Sequence, residues 1–196
     1  MSRPFAILPL LAILLLAACM PAGPVRDLEG RRIGAPGWEP ITGAQARLSI
    51  TGTQARIIAR EKMELPGRYL ERWWLEGGHL VYESLTIGGF GPDSTSPNYL
   101  YRLYGSDPSL ARQGVRLRPE DIRVRSDMTF VVGHSPRVTC FAFVSVFGSA
   151  PLPDSPGNRL LRGGICRPVG DRGTDSPDVI ALLESLRVEG IPLLGD

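Results

Sequence analysis

The chain has 196 residues, 43% of them hydrophobic and 21% charged, with a formal net charge of +2. That length suits one domain with a substantial core plus a tether, and two full domains are not expected. So even a charge balance supplies no electrostatic case for nucleic-acid binding.

Arg3 opens a short positive start, an apolar run from Phe5 to Leu16 follows, and Ala17 and Ala18 precede Cys19, which is the order of a secretory signal. The run is too short to span a bilayer core, which takes about 20 apolar residues, and it contains Pro9. Leu16-Ala17-Ala18-Cys19 resembles the lipobox of bacterial lipoproteins, in which a peptidase cuts before a cysteine that already carries diacylglycerol. The resemblance implies residues 1–18 as signal peptide, Cys19 as the lipidated first residue, and, with Met20 rather than Asp next, an anchor in the outer membrane with the domain facing the periplasm. Each buried acyl methylene is worth about 0.8 kcal/mol, so two or three chains hold a protein permanently.

Residues 19–45 are rich in Pro, Gly and Arg without periodicity and read as a tether of roughly 25 Å root-mean-square span. Arg26, Arg31 and Arg32 lie near the implied anchor, where anionic headgroups favour them. Arginine excess in general, with Lys62 the single lysine among 22 basic residues, reads first as base composition. The single domain is then 46–196. With Cys19 given to lipid, Cys140 and Cys166 remain as an even pair in an oxidising compartment and read as one disulfide. A zinc site lacks ligands, since His79 and His134 have no cysteine at finger-like spacing, and Cys140 sits in an apolar run that disfavours a thiolate.

"GAQARLSI" and "GTQARIIA" are alike at a spacing of nine residues, as short strands or as helix; two copies do not make a solenoid. "RYLERWWLEGGHLVYESL" reads as a hairpin about Gly77-Gly78, with Trp73 opposite Tyr82, Arg72 opposite Glu83 and Leu70 opposite Leu85. Trp73, Trp74 and Tyr82 are a candidate binding platform, against the alternative of buried packing. "YLYRLY", between stretches dense in Gly, Pro, Ser and Asn, reads as an edge strand; the glycines there match neither a P-loop nor a dinucleotide fingerprint.

After a polar stretch around Arg116 to Asp127, "MTFVV" and "RVTCFAFVSVF" read as strands. The second is apolar on both faces and therefore central. "RLLRGGICRPV" pairs with it antiparallel if Cys140 opposes Cys166, which sets Ala142 opposite Gly164 and Val144 opposite Arg162. The end, "SPDVIALLESLRVEG", predicts a helix with Ser176 as N-cap, Pro177 at its first position, Asp178 beside its positive end, an apolar stripe of Val179, Leu182, Leu183 and Leu186, and a stop at Gly190 and Pro192. "CFAF", "GGIC" and "ALLESLRV" together resemble the C-terminal part of uncharacterised bacterial envelope proteins, which implies no activity.

"TFVVGHSPR" starts like the strand and turn that present a nucleophilic serine in α/β-hydrolases, with Gly133, His134 and Ser135 in order. It then departs from the G-x-S-x-G elbow, because Pro136 and Arg137 follow and the chain continues as a strand. Glu120 and Asp121 are adjacent and read as a solvated turn rather than a glycosidase pair. The expectation is an α+β domain: an antiparallel sheet, one interstrand disulfide, and a C-terminal helix packed on one face. Its expected role is non-enzymatic, binding an envelope partner or serving as an accessory, with no cofactor and no metal. A small-ligand or lipid binder, with a pocket between helix and sheet lined by Trp73, Trp74 and Tyr82, is the competing class, and an enzyme acting through Ser135 is third.

Overall fold

The computed structural model describes residues 37–51, 56–105, 108–125, 128–149, 155–169 and 182–192. In chain order the strands are β1 (Glu39–Pro40), β2 (Leu48–Ile50), β3 (Ile57–Leu65), β4 (Arg68–Leu75), β5 (Gly78–Leu85), β6 (Arg123–Arg125), β7 (Met128–His134), β8 (Val138–Phe147), β9 (Arg159–Pro168), β10 (Leu186–Val188) and β11 (Ile191–Pro192). Two helices, α1 (Pro97–Tyr104) and α2 (Pro108–Arg112), lie between β5 and β6.

Eight strands make one antiparallel sheet in the order β1-β3-β4-β5-β9-β8-β7-β6, and β11-β10-β2 make a second, small one. Alternation along each strand divides the large sheet into two faces. One face presents Trp73, Leu80, Tyr82, Leu161, Phe141 and Phe143, and is covered by Leu48 of β2 together with Leu182, Leu183, Leu186 and Val188. The other presents Cys140, Ala142, Val144, Val146, Leu160 and Cys166, and is covered by Leu100 and Tyr104 of α1, Leu110, and Val115 and Leu117 beyond α2. β8 is apolar on both faces because it has a core on each side, and its residues from Thr139 to Val146 are all buried.

The β8–β9 ladder opposes Cys140 to Cys166, Ala142 to Gly164 and Val144 to Arg162, the register the sequence predicts. Cys140 and Cys166 form the disulfide between these two central strands. Closing a loop of sequence separation 26 stabilises the fold by roughly 3–4 kcal/mol in the chain-entropy model. Reduction of the purified protein should therefore lower its urea midpoint and steepen the slope of unfolding free energy against urea, because the unfolded chain without the bond is more expanded. An unmoved midpoint would contradict this.

The β4–β5 hairpin forms, but two residues out of the predicted register: Trp73 opposes Leu80, Glu71 opposes Tyr82 and Leu75 opposes Gly78. The turn is Glu76-Gly77, and Gly77 takes the positive φ of 79°. Gly78 is already a strand residue. A Cβ there would lie 2.3 Å from the Gly164 carbonyl oxygen, so the second glycine serves close approach of β9 rather than the turn.

Three other expectations are corrected. "YLYRLY" is helix α1, not an edge strand: Ser96 Oγ accepts from the Tyr99 amide at 3.1 Å, Pro97 occupies the first turn, and Leu100 and Tyr104, four residues apart, carry its buried stripe. The fold begins before residue 46, since β1 pairs with Glu61 and Lys62 of β3 and Trp38 stacks on the Arg72 guanidinium at 4.0 Å. Residues 182–185 are helical, but Leu186 is not part of that helix; Leu186–Val188 pairs with Ile50–Leu48 of β2, and Glu189 and Gly190, with φ of 51° and 81°, turn the chain into β11. Ser176, Pro177, Asp178 and Val179 lie outside the described residues, as do Cys19, the signal and most of the tether. Of the undecided segments before β4, Leu48–Ile50 forms β2 and the end of the second enters β3, Ile57–Leu65.

Candidate functional site

The aromatic trio does not form a platform. Alternation along β4 sends Trp73 and Trp74 to opposite faces; Trp73 and Tyr82 enter one core, Trp74 the other side of the sheet, and all three are buried. In the described residues they are packing residues, placed on opposite faces rather than on one shared surface.

Trp73 and Trp74 each donate to a buried carboxylate. Glu71, fully buried, accepts from the Trp73 Nε1 at 2.6 Å and the Leu48 amide at 3.2 Å on one oxygen, and from the Arg47 amide at 2.7 Å and Tyr69 Oη at 2.8 Å on the other. Two donors per oxygen fill the acceptor sites of a carboxylate, so Glu71 ties β2 to the large sheet and is spent in doing so. Burial, then the Glu71 hydrogen bond and charge, push the Tyr69 hydroxyl above its ordinary pKa, so it remains a donor through the neutral range. On the opposite face Glu61 Oε2 receives Arg72 Nη2 at 2.7 Å, Arg72 Nε at 3.1 Å and Trp74 Nε1 at 3.2 Å. Arg72 lies over both Trp38 and Trp74.

His134 and Ser135 close a hairpin rather than a nucleophile elbow. His134 ends β7, with Nδ1 3.0 Å from Thr139 Oγ1. Ser135 Oγ accepts from the amides of Val138 and Arg137 at 3.2 and 3.3 Å, so its oxygen shapes the turn into β8. Glu120 and Asp121 sit in an exposed 3-10 turn, Pro119–Asp121.

An exposed groove lies beside this hairpin. β6 opposes only Met128 to Phe130 of β7, because the chain preceding it turns through Pro119–Asp121 and leaves the sheet edge. The space so opened is about 460 Å³, with Phe130, Val132, Gly133 and His134 of β7 along one wall. Arg116, Arg118, Arg123 and Asp121 supply the rest. The segment before the turn alternates: Val115 and Leu117 are buried, Arg116 and Arg118 exposed. Gly133 makes that seating possible, since a Cβ there would come within 2.6 Å of both Val115 and Leu117. Arg123 is held in place by its Nη1, which donates to the Glu120 and Ile122 carbonyls at 2.7 and 3.1 Å. Phe130 stacks at 5.6 Å on Phe141, joining the groove floor to the core.

This groove is not apparent in the sequence, where the stretch around 116–127 reads as polar. The signal was present in Val115-Arg116-Leu117-Arg118, where apolar and basic residues alternate with the period of an extended segment that buries one side. Among the described residues, no three His, Cys, Asp or Glu side chains converge as a metal site, and no helix is long and apolar enough to cross a membrane. No family model, curated protein or solved structure matches the chain.

Proposed function

We propose that this chain is a bacterial lipoprotein, held in the outer membrane through acyl chains on Cys19, whose periplasm-facing domain binds an envelope partner and performs no chemistry of its own. In this reading the helical residues 182–185 belong to a C-terminal helix packed on the sheet face that Leu182 and Leu183 enter. The observation that carries the binding role is the groove beside β7. Its wall is built of three guanidinium groups, one carboxylate, an imidazole and an apolar floor, a lining whose excess of cations suits an anionic surface. The competing small-ligand reading loses its support with the burial of Trp73, Trp74 and Tyr82.

Two measurements test the two halves. Cells fed radiolabelled palmitate should label the wild-type chain and leave a Cys19→Ser variant unlabelled; equal labelling, or none in either, removes the anchor. Crosslinking in intact cells should attach a partner to wild type that an Arg116→Glu/Arg118→Glu variant no longer captures; identical capture by both removes the groove from the binding role.

A further inference from the structure

We propose that the groove binds an extended acidic peptide segment, which adds as a short strand beside the half of β7 that β6 leaves uncovered. The inference deepens the partner-binding reading and rests on it, while standing apart from the lipid anchor.

Three observations point to a peptide strand. First, β6 is the last strand of the sheet, and its ladder with β7 stops at Phe130, whereas β7 runs on to His134. Val132, Gly133 and His134 therefore have β8 on one side and the groove on the other, and a strand edge is a template for another strand because it offers main-chain donors and acceptors at strand spacing. Second, Phe130, Val132 and His134 lie on one face of β7, which sets two apolar side chains and an imidazole at the spacing of every second residue of an incoming chain. Third, the charge around the edge is lopsided: Arg116, Arg118 and Arg123 against Asp121. Guanidinium groups match carboxylates with paired N–H donors, and Arg123 is already oriented by its two carbonyl contacts. The same side chains also explain why the edge stays open, since exposed cations deter a second copy of the same edge from pairing with it.

A peptide alternating Val and Glu presents this chemistry in any register. Its binding is measured by fluorescence anisotropy to the full chain, purified in non-ionic detergent. Wild type should bind it saturably, with affinity falling as salt rises. Arg116→Glu/Arg118→Glu should weaken binding by about tenfold or more, the equivalent of one or two lost charge contacts, with the melting temperature unmoved because both side chains are exposed. A peptide with Gln in place of Glu, and one N-methylated at alternate amides, should each bind about tenfold more weakly, the first for want of charge and the second for want of main-chain pairing. The proposal is overturned if wild type does not bind the Val-Glu peptide, if the Gln or N-methylated peptide binds as well, or if phosphatidylglycerol vesicles or inorganic phosphate bind the arginines more tightly than the peptide does. Palmitate labelling decides the anchor independently, so loss of one conclusion leaves the other measurable.

Discussion

Replacing Glu71 by alanine should destabilise the protein by about 4 kcal/mol: four donors lose an acceptor whose bonds contribute about 1.5–3 kcal/mol each, and removing the buried charge returns part of that sum as relieved desolvation. The donors are not equal. The Tyr69 hydroxyl can at least swing its proton about the C–O bond, but the Leu48 amide belongs to a residue 1% exposed and has nowhere to turn. Glutamine is no remedy at this site, because its NH₂ would face two of the same donors across an oxygen's former place. For a chain of this size about 4 kcal/mol corresponds to a fall in melting temperature of roughly 8–16 °C. Amide exchange adds a sharper readout: the Leu48 amide should become unprotected in Glu71→Ala while amides of β8 stay slow. A melting temperature within a degree or two of wild type would show that the small sheet is not tied through this carboxylate.

The second large effect is expected at Arg72. Arg72→Met keeps most of the volume between Trp38 and Trp74 but leaves Glu61, 4% exposed, without its guanidinium. Removing one partner of a buried pair costs about 3–5 kcal/mol, whereas replacing both by apolar residues of similar volume is often neutral. The double variant Glu61→Leu/Arg72→Met should therefore be more stable than Arg72→Met alone. It should not fully recover, because the Trp74 indole N–H loses its acceptor at the same time. Urea denaturation of the two singles and the double forms a closed cycle. A double variant as damaged as the worse single would mean that the pair acts through something other than mutual charge compensation.

What was legible in the sequence was whatever a local period of two determines. β8, β9 and their register could be read because each strand alternates cleanly and one covalent bond pins the phase. The β4–β5 hairpin could be read, but its register could not, because a Gly-Gly pair shows that small residues are needed without showing for what. One glycine serves the turn, the other the neighbouring strand. Helix α1 was hidden by the strand-like composition of Tyr-Leu-Tyr-Arg-Leu-Tyr; the Ser96-Pro97 start outweighed it. Leu186 fits a helical stripe and a strand equally well until its partner Ile50, far away in sequence, is known. The groove belongs to the same class of omission: it arises where β6 stops short of β7, and no stretch of sequence states where two strands cease to be neighbours.

The small sheet has a consequence for the order of events during synthesis. Thr51 Oγ1 donates to the Ser185 carbonyl across a separation of 134 residues, and β2 finds its only described partner in β10. A nascent chain that has produced the large sheet but not residues 182–192 holds Leu80, Tyr82 and Phe143 without the cover of Leu182, Leu183, Leu186 and Val188. Closure is thus deferred until residues 182–192 have been made, when loop-closure entropy over most of the chain must be met at once. During that interval the unfinished domain exposes a broad oily surface, the condition in which a holding chaperone has most to grip.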